Sequence, residues 1–330
     1  MRMSSRILVT GAAGFIGSKI CEYLLAAGYG VLGIDNLNNA YDVRLKHWRL
    51  ARLRDRAGFD FCALDICEPL DLQELARLWN DQEFSAVINL AARAGVQPSV
   101  ANPWIYFKTN VTGTLNLLEF CRQQGIQKFV LSSTSSLYGA HNSMPFKEDA
   151  DTSHPLSPYA ASKKAAETLC YSYHHLHKLD VTILRYFTVY GPAGRPDMSL
   201  FRFVQRISEQ KPVTVYGDGT QSRDFTYIDD IACGTIAGLK PLGFAVINLG
   251  SDSPLVLRDA IEQIEVLTGK QAIIECQPRH PADIPASWAN IERARDLLGW
   301  TPRVQYGEGL KNLVDWYLEN QSWAKEIITA

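Results

Sequence analysis

The chain has 330 residues, and its 33 lysine and arginine residues nearly balance 35 aspartate and glutamate residues, for a formal net charge of −2. A composition of 46% hydrophobic, 21% charged and 10% aromatic residues is typical of a folded protein of one large or two ordinary domains, and it excludes a disordered, fibrous or disulfide-scaffold chain. The charge balance, without a basic run, argues against nucleic-acid binding and against attachment to an acidic membrane surface.

The seven cysteines are scattered along the chain and form no CxxC pair. An odd, scattered set favours reduced thiols over disulfide bridges or a zinc site. The histidines at 174, 175 and 177 fit a solvated helix face better than a metal site, and we assign no metal. No apolar run is long enough to span a bilayer, so we expect no membrane anchor and a cytoplasmic location.

The first half of the chain alternates short apolar runs with longer amphipathic stretches. The short runs predict strands over residues 6–10, 31–35, 59–64, 86–91, 128–133 and 181–186. The amphipathic stretches predict helices over residues 15–27, 70–79, 100–123 and 159–177. Such alternation requires right-handed crossovers, so it predicts an α/β fold with a doubly wound (Rossmann) parallel sheet covered by helices on both faces.

After about Phe187 the alternation loosens and glycine and proline become more frequent. Helices are predicted near residues 200–210, 231–239, 257–267, 291–298 and 309–320, and strands near 213–216 and 246–249. We therefore expect a smaller, mixed α/β C-terminal portion over residues 188–330, with residues 226–250 returning to the first domain, residues 1–187.

A glycine-rich segment, GAAGFIG, joins the first predicted strand to the first predicted helix. Gly11, Gly14 and Gly17 allow a tight turn and a close approach of the backbone to a pyrophosphate at the helix N-terminus. Asp35 ends the next strand, where a carboxylate binds a ribose hydroxyl and repels a 2′-phosphate, which favours NAD over NADP. The alternative is a glycine-rich turn with an unrelated Asp. Asp65, with Ile66, either borders the adenine or caps a turn.

Tyr159 and Lys163 lie four residues apart in SPYAASK, at the predicted start of a helix, and so share one face. A nearby ammonium lowers the pKa of a phenol and makes it a usable base. The alternative is an aromatic residue and a lysine on a partly exposed face. The hydroxyl-rich end of the preceding strand, residues 132–136, favours the chemical role, because ligands of open α/β sheets bind at that edge.

These motifs, together with NLAA (89–92), SSTSSLYG and GDGTQSRDFTYIDD (217–230), occur in one order along the chain. The chain thereby resembles the extended short-chain dehydrogenase/reductase family, and within it the nucleotide-sugar epimerases, over essentially its whole length. Three further segments, residues 35–53, 91–99 and 185–198, resemble the UDP-glucuronate 4-epimerases.

The resemblance implies 4-epimerisation of a UDP-hexuronic acid through a transient 4-keto intermediate, with NAD resident in the first domain and the nucleotide sugar in the second. Tyr159 then removes the proton of the 4-hydroxyl, Lys163 holds the nicotinamide ribose, and Thr134 hydrogen-bonds the 4-oxygen. Beside the residues already named, the implied cofactor-binding positions are Phe15, Ile16, Asn36, Leu90, Ala91, Ala92, Asn110 and Tyr186.

On the substrate side, the resemblance implies that Ser135, Ser136 and Thr188 hold the sugar carboxylate, with Arg195 nearby. Dehydratases and decarboxylating relatives carry acidic residues after the threonine, whereas this chain has two serines. The residues implied at the nucleotide are Val215, Tyr216, Arg223 and Asp283. Gln97 and His280 depart from the family pattern. One substrate contact and one phosphate contact are therefore not assigned to a residue.

Three alternatives remain at this point: the same chemistry on UDP-glucose, decarboxylation to a UDP-pentose, and a catalytically silent dinucleotide-binding regulator. Surplus apolar positions on the helices around residues 105–118 and 159–173 predict a homodimer, as the family pairs these helices across a two-fold axis. The alternative is that both helix faces are buried within one subunit.

Overall fold

The computed structural model describes residues 4–68, 72–75, 84–278 and 284–329. The strands are numbered in chain order: β1 (Ser4–Thr10), β2 (Tyr29–Ile34), β3 (Phe59–Cys62), β4 (Phe84–Asn89), β5 (Lys128–Thr134), β6 (Asp180–Tyr186), β7 (Thr188–Tyr190), β8 (Pro212–Tyr216), β9 (Ser222–Tyr227), β10 (Phe244–Leu249), β11 (Pro254–Val256) and β12 (Ile273–Gln277).

The α-helices are α1 (Phe15–Ala26), α2 (Val43–Arg54), α3 (Val96–Ala101), α4 (Pro103–Phe107), α5 (Gly113–Gln124), α6 (Pro158–His177), α7 (Ser199–Ser208), α8 (Ile228–Ala237), α9 (Leu257–Thr268), α10 (Tyr306–Glu319) and α11 (Gln321–Ala324). Residues 72–75 are also helical, and the rest of the helix predicted over 70–79 lies outside the described residues. Shorter turns are π-helical at Lys108–Thr112 and Ala294–Leu298 and 3₁₀-helical at Ser135–Tyr138.

Seven parallel strands form the main sheet, in the order β10-β6-β5-β4-β1-β2-β3. The strand order reverses at β1, from which the chain first builds outward through β2 and β3 and then returns to β4. Right-handed crossovers place the helices of the two halves on opposite faces, and a crevice opens between the carboxyl ends of β1 and β4. The predicted doubly wound parallel sheet is confirmed.

Two smaller sheets stand apart from the main one. One has the order β11-β9-β7, with β9 antiparallel to β11 and parallel to β7, and the other pairs β12 with β8 in parallel. The mixed α/β character predicted for the C-terminal portion is therefore present. β10 joins the main sheet beside β6, although it follows β7, β8 and β9 in the chain.

The two largest departures from the predicted helices lie in the first half of the chain. Helix α2 was not predicted, because its buried face carries Lys46 and Arg49 beside three leucines and its apolar periodicity is weak. The helix predicted over residues 100–123 is divided into α3, α4, a π-helical turn and α5. Pro103 starts α4 and cannot donate a backbone hydrogen bond to continue α3.

Within the described residues, none of the helices combines the length and the apolar character needed to cross a bilayer. Apolar side chains instead pack against both faces of the main sheet. One cluster fills the face toward α1 and the C-terminal helices, and the other fills the face toward α5 and α6.

A buried ion pair joins α6 to the centre of the main sheet. Arg185 on β6 donates from Nε and Nη2 to the Glu167 carboxylate on α6, at 3.0 and 2.8 Å. Ser133 on β5 donates to the same carboxylate at 2.6 Å. Both charged side chains are about 95% buried, so the pair fixes the position of α6 against two strands.

Replacing Arg185 with methionine leaves the Glu167 carboxylate buried without its cation. We expect the free energy of unfolding, measured by urea denaturation, to fall by about 3–5 kcal/mol. The matched control is Arg122→Met, which breaks a solvent-exposed pair with Glu119 and is expected to change stability little. Equal stabilities of the two variants would contradict the structural role of the buried pair.

Candidate active site

A cavity of about 370 Å³ opens at the carboxyl edge of the main sheet, where the strand order reverses. It is lined by most of the residues that the sequence predicted for the cofactor and the sugar: Gly11, Gly14, Phe15, Ile16, Gly17, Asp35, Asn36, Asp65, Ile66, Leu90, Ala91, Ala92, Thr134, Ser135, Ser136, Tyr159, Lys163, Tyr186, Thr188 and Arg195. These residues come from seven separate stretches of the chain and meet in one crevice.

The glycine loop between β1 and α1 forms one end of the cavity. Gly11 has a φ of 69°, and Gly14 donates its N–H to the Gly11 carbonyl at 2.9 Å. A Cβ at Gly17 would lie 2.1 Å from that same carbonyl oxygen. Helix α1 begins after Gly14, which has no side chain to cap the first turn. The loop therefore presents a bare helix N-terminus, which suits a pyrophosphate.

Asp35 lies at the end of β2, on the wall next to the glycine loop, and is 7% exposed. Its Oδ1 accepts from the N–H of Leu37 at 2.8 Å and from Nζ of Lys46 at 3.2 Å. Further along the same wall, Nδ2 of Asn36 donates to Asp65 at 2.9 Å. A paired carboxylate and an amide at this position provide the hydrogen bonds that an adenosine ribose requires.

Three reactive side chains lie on the opposite wall. Thr134 ends β5, and Tyr159 and Lys163 occupy successive turns of α6. Helix α6 begins at Pro158, and the Ser157 hydroxyl caps it by accepting from the N–H of Ala160 at 3.2 Å. Thr134 lies close enough to Tyr159 to lower the pKa of its hydroxyl. The predicted shared face of Tyr159 and Lys163 is therefore present and directed into the cavity.

Burial shifts the pKa values of Tyr159 and Lys163 in opposite directions. It raises the pKa of Tyr159 above its ordinary value, against the opposing effects of the Thr134 hydroxyl and the Arg195 charge. Burial also lowers the pKa of Lys163 to about 8, with Glu167 acting in the opposite direction. The lysine is thus still an ammonium at neutral pH, and its charge faces little competing solvent.

Hydroxyl groups and one guanidinium line the side of the cavity next to Thr134. Ser135 and Ser136 follow β5 directly, and Thr188 begins β7. Arg195 donates from Nε to Asp197 at 3.1 Å and forms a second contact with the same carboxylate through Nη2. Neutral hydroxyl donors beside a paired guanidinium suit a single carboxylate anion.

Several predicted residues lie elsewhere. Val215 and Tyr216 on β8 and Arg223 on β9 do not line this cavity. Nη1 of Arg223 donates to the Ser222 carbonyl at 2.7 Å. Asp283 and His280, of the late segment that departs from the family pattern, lie outside the described residues.

Asn110 also stands behind the cavity wall rather than on it. Its Nδ2 donates to Ser162 on α6 at 2.9 Å and to the Arg93 carbonyl at 2.9 Å, and its Oδ1 accepts from the Arg93 N–H at 2.8 Å. Ser162 in turn donates to the Tyr159 carbonyl at 2.7 Å. Asn110 therefore supports the first turn of α6 from the π-helical turn at residues 108–112.

Sequence reasoning missed some residues of the cavity wall. They include Asn38, Tyr41, Lys46, Gly95, Val96 and Met198. Lys46 contributes a buried cation next to Asp35. The unpredicted helix α2 brings it there, and although Lys46 lies in the segment 35–53 that carries the family resemblance, no role was assigned to it.

The sequence and the fold were compared with known proteins. A family profile, the NAD dependent epimerase/dehydratase family, matches residues 7–250. A protein of Thermodesulfobacterium geofontis named UDP-glucuronate 4-epimerase is 54% identical, over 97% of this chain and 98% of its own length.

Solved structures agree with this similarity. The UDP-glucuronic acid 4-epimerase of Bacillus cereus, in complex with UDP-glucuronic acid and NAD, matches with a TM-score of 0.89 and 39% identity, over 96% of this chain and 99% of that one. A UDP-glucose 4-epimerase of Thermotoga maritima, with UDP-glucose, matches with a TM-score of 0.87 and 31% identity, over the same 96% and 99%. Because the TM-scores are so similar, the fold alone does not distinguish an acidic sugar from a neutral one.

Gly17→Ala tests the glycine loop directly. The added Cβ would stand 2.1 Å from the Gly11 carbonyl oxygen, so the loop must open. We expect the purified variant to retain less than about a tenth of the wild-type NAD, measured by releasing the nucleotide on denaturation, because the backbone donors no longer converge on the pyrophosphate. The control is Gly307→Ala in α10, where no atom lies within 4 Å of the new Cβ. Equal NAD content in both variants would refute this role of the loop.

Proposed function

Because the chain belongs to the NAD dependent epimerase/dehydratase family, we propose that it converts UDP-glucuronate to UDP-galacturonate by inverting C4, with NAD as resident cofactor. One observation carries the proposal: Thr134, Tyr159 and Lys163 share a cavity wall with a hydroxyl and guanidinium group suited to a sugar carboxylate. The 54% identical relative bears the name of the same activity.

The residues of the cavity fit NAD. The glycine loop faces the pyrophosphate, Asp35 and Asn36 hold the adenosine ribose, and Asp65 with Ile66 borders the adenine. Leu90, Ala91, Ala92 and Tyr186 complete the wall toward the nicotinamide, with Asn110 supporting it from behind. When bound, NAD accepts a hydride from C4 of the sugar and returns it to the opposite face of the ring.

Tyr159 acts as the base for the 4-hydroxyl. Its phenolate takes the hydroxyl proton as C4 is oxidised, and it gives the proton back when C4 is reduced. Lys163, an ammonium in a buried position, stabilises that phenolate and holds the nicotinamide ribose. Thr134 donates to the 4-oxygen and so keeps the sugar within reach of Tyr159.

The residues after Thr134 decide what happens to the 4-keto intermediate. Elimination at C5 and C6 requires a positioned acid and base, and Ser135 and Ser136 provide neither. The sugar instead rotates about its bond to the diphosphate and presents its other face. Simple epimerisation is therefore favoured over dehydration.

A 4-keto uronic acid is a β-keto acid, and it loses carbon dioxide when its carboxylate bond aligns with the carbonyl. Ser135, Ser136 and Thr188 hold the carboxylate through hydroxyl donors, and Arg195 balances its charge. Because Asp197 pairs with Arg195, the guanidinium stays fixed at the edge of the pocket. This arrangement disfavours decarboxylation to a UDP-pentose.

The nucleotide lies beyond the sugar, over the smaller sheets. We propose that Val215 and Tyr216 border the uracil and that Arg223 and Asp283 contact the diphosphate side. The strand register supports this placement for Arg223. Thr188 on β7 pairs with Phe225 on β9, and Arg223 lies two residues before Phe225. On this assignment residues 1–187, with 226–250, hold NAD, and residues 188–330 hold the nucleotide sugar; the position of β10 in the main sheet supports that division.

We also propose a cytoplasmic homodimer. All seven cysteines are free, which fits a reducing compartment. Large apolar side chains are exposed in the first of the two helical regions predicted to pair with a second copy, residues 105–118, where Phe107 is 42% and Leu115 37% exposed. Sedimentation equilibrium should give twice the chain mass.

The direct test is to incubate the purified protein with UDP-glucuronate, without added NAD, and to separate the products with mass detection. We expect a UDP-sugar of unchanged mass that co-elutes with UDP-galacturonate. A product lighter by carbon dioxide would instead identify a decarboxylase. Turnover of UDP-glucose alone would identify the neutral-sugar reaction.

Tyr159→Phe provides the control for the chemistry. It removes the phenolic oxygen but keeps the ring, so we expect kcat to fall by about 10²- to 10⁴-fold while NAD remains bound. Tyr171→Phe, on the exposed face of the same helix, should keep the wild-type rate. Unchanged turnover by Tyr159→Phe would show that another group is the base.

A further inference from the structure

One buried arginine connects two of the segments that single out the UDP-glucuronate 4-epimerases, residues 35–53 and 185–198. Arg49 lies on α2 and is 3% exposed. Neither the glycine loop nor the chemistry proposed above assigns it a role. Its position in the fold is nevertheless between the two loops that enclose the cavity.

The guanidinium of Arg49 is fully engaged. Nε and Nη2 donate to the Ala193 carbonyl at 3.0 and 2.7 Å, and Nη2 also donates to the Gly194 carbonyl at 3.0 Å. Nη1 donates to the Tyr41 hydroxyl at 2.7 Å and to the Ala13 carbonyl at 3.3 Å. The five contacts equal the five N–H donors of an arginine side chain.

The carbonyl acceptors belong to two segments that each contribute other residues to the cavity lining. Ala13 lies inside the glycine loop, and Ala193 and Gly194 directly precede Arg195. Ala193 has a φ of 52°, in the left-handed region that an alanine seldom occupies. A turn in that conformation needs external support, and Arg49 holds two successive carbonyls of it.

We propose that Arg49 is a positioning residue that fixes the 193–194 turn against the glycine loop, so that Arg195 faces the sugar carboxylate. The proposal rests on the proposed function, since it acts through Arg195 on a uronic acid. It makes Arg49 a determinant of preference for acidic over neutral UDP-sugars. A lysine cannot substitute for it, because a single ammonium cannot reach acceptors on three separate segments.

The test compares Arg49→Met and Arg49→Lys with Arg52→Met, a control on the exposed face of the same helix whose guanidinium lies over the Trp48 ring. Each protein is assayed with NAD in excess, after circular dichroism has shown that it is folded. We expect both Arg49 variants to raise KM for UDP-glucuronate by roughly 10- to 100-fold with a smaller change in kcat, as loss of a charge-assisted hydrogen bond does. Both variants should also release a larger fraction of decarboxylated product. Arg52→Met should match the wild type.

Because Arg49 acts through Arg195, the double variant Arg49→Met with Arg195→Met should lose no more than Arg195→Met alone. If Arg49→Met does not fold, Arg49→Lys, which keeps a buried cation, takes its place in the comparison. Two results would overturn this inference alone. One is a double variant whose loss equals the product of the two single losses, and the other is a wild-type KM and product ratio in folded Arg49 variants. Failure of the wild type to epimerise UDP-glucuronate would overturn the proposed function, and this inference with it.

Discussion

The geometry of parallel strands determines where this protein can bind its ligands. Adjacent parallel strands must be joined by crossovers, and at β1 the crossovers change from one face of the sheet to the other. The crevice left between β1 and β4 receives the glycine loop, the end of β2 with Asp35, and the end of β5 with Thr134. Because each of these elements ends at the same edge of the sheet, reactive side chains from distant parts of the chain come together there.

Burial then shifts the pKa values of the assembled groups. Tyr159 and Lys163 have opposite responses to desolvation, since burial raises the pKa of the phenol and lowers that of the ammonium to about 8. Burial therefore places the pKa of Lys163 below that of Tyr159, the reverse of their order in water, so formation of the phenolate requires stabilisation beyond what burial provides. The Glu167–Arg185 pair beneath these side chains holds α6 against β5 and β6. Stability and chemistry thus use the same face of one helix, because Glu167 lies one turn beyond Lys163.

The doubly wound parallel sheet and most of the cavity wall were predictable because they depend on local patterns. Apolar runs identified the strands, and the glycine loop and Tyr159 with Lys163 lie at fixed positions relative to strand ends and helix starts. Helix α2 was not predictable in the same way, because Lys46 and Arg49 interrupt its apolar face and are stabilised only by tertiary partners. The family resemblance placed Asn110 among the cofactor-binding positions, whereas in the structure its amide bonds to Ser162 and Arg93. Whether a polar side chain lines the cavity or supports its wall from behind depends on contacts with residues that are remote in sequence.

The central claim is that the hydrogen removed from C4 returns to C4 without meeting water, with Tyr159 moving only the hydroxyl proton. Running the reaction in deuterium oxide and measuring the carbon-bound deuterium of UDP-galacturonate by mass spectrometry tests it most directly. The account predicts a product with no deuterium on carbon, because both the transferred hydrogen and the C5 hydrogen stay in place. One deuterium per product molecule at C4 would contradict it, since the hydrogen delivered to C4 would then come from solvent.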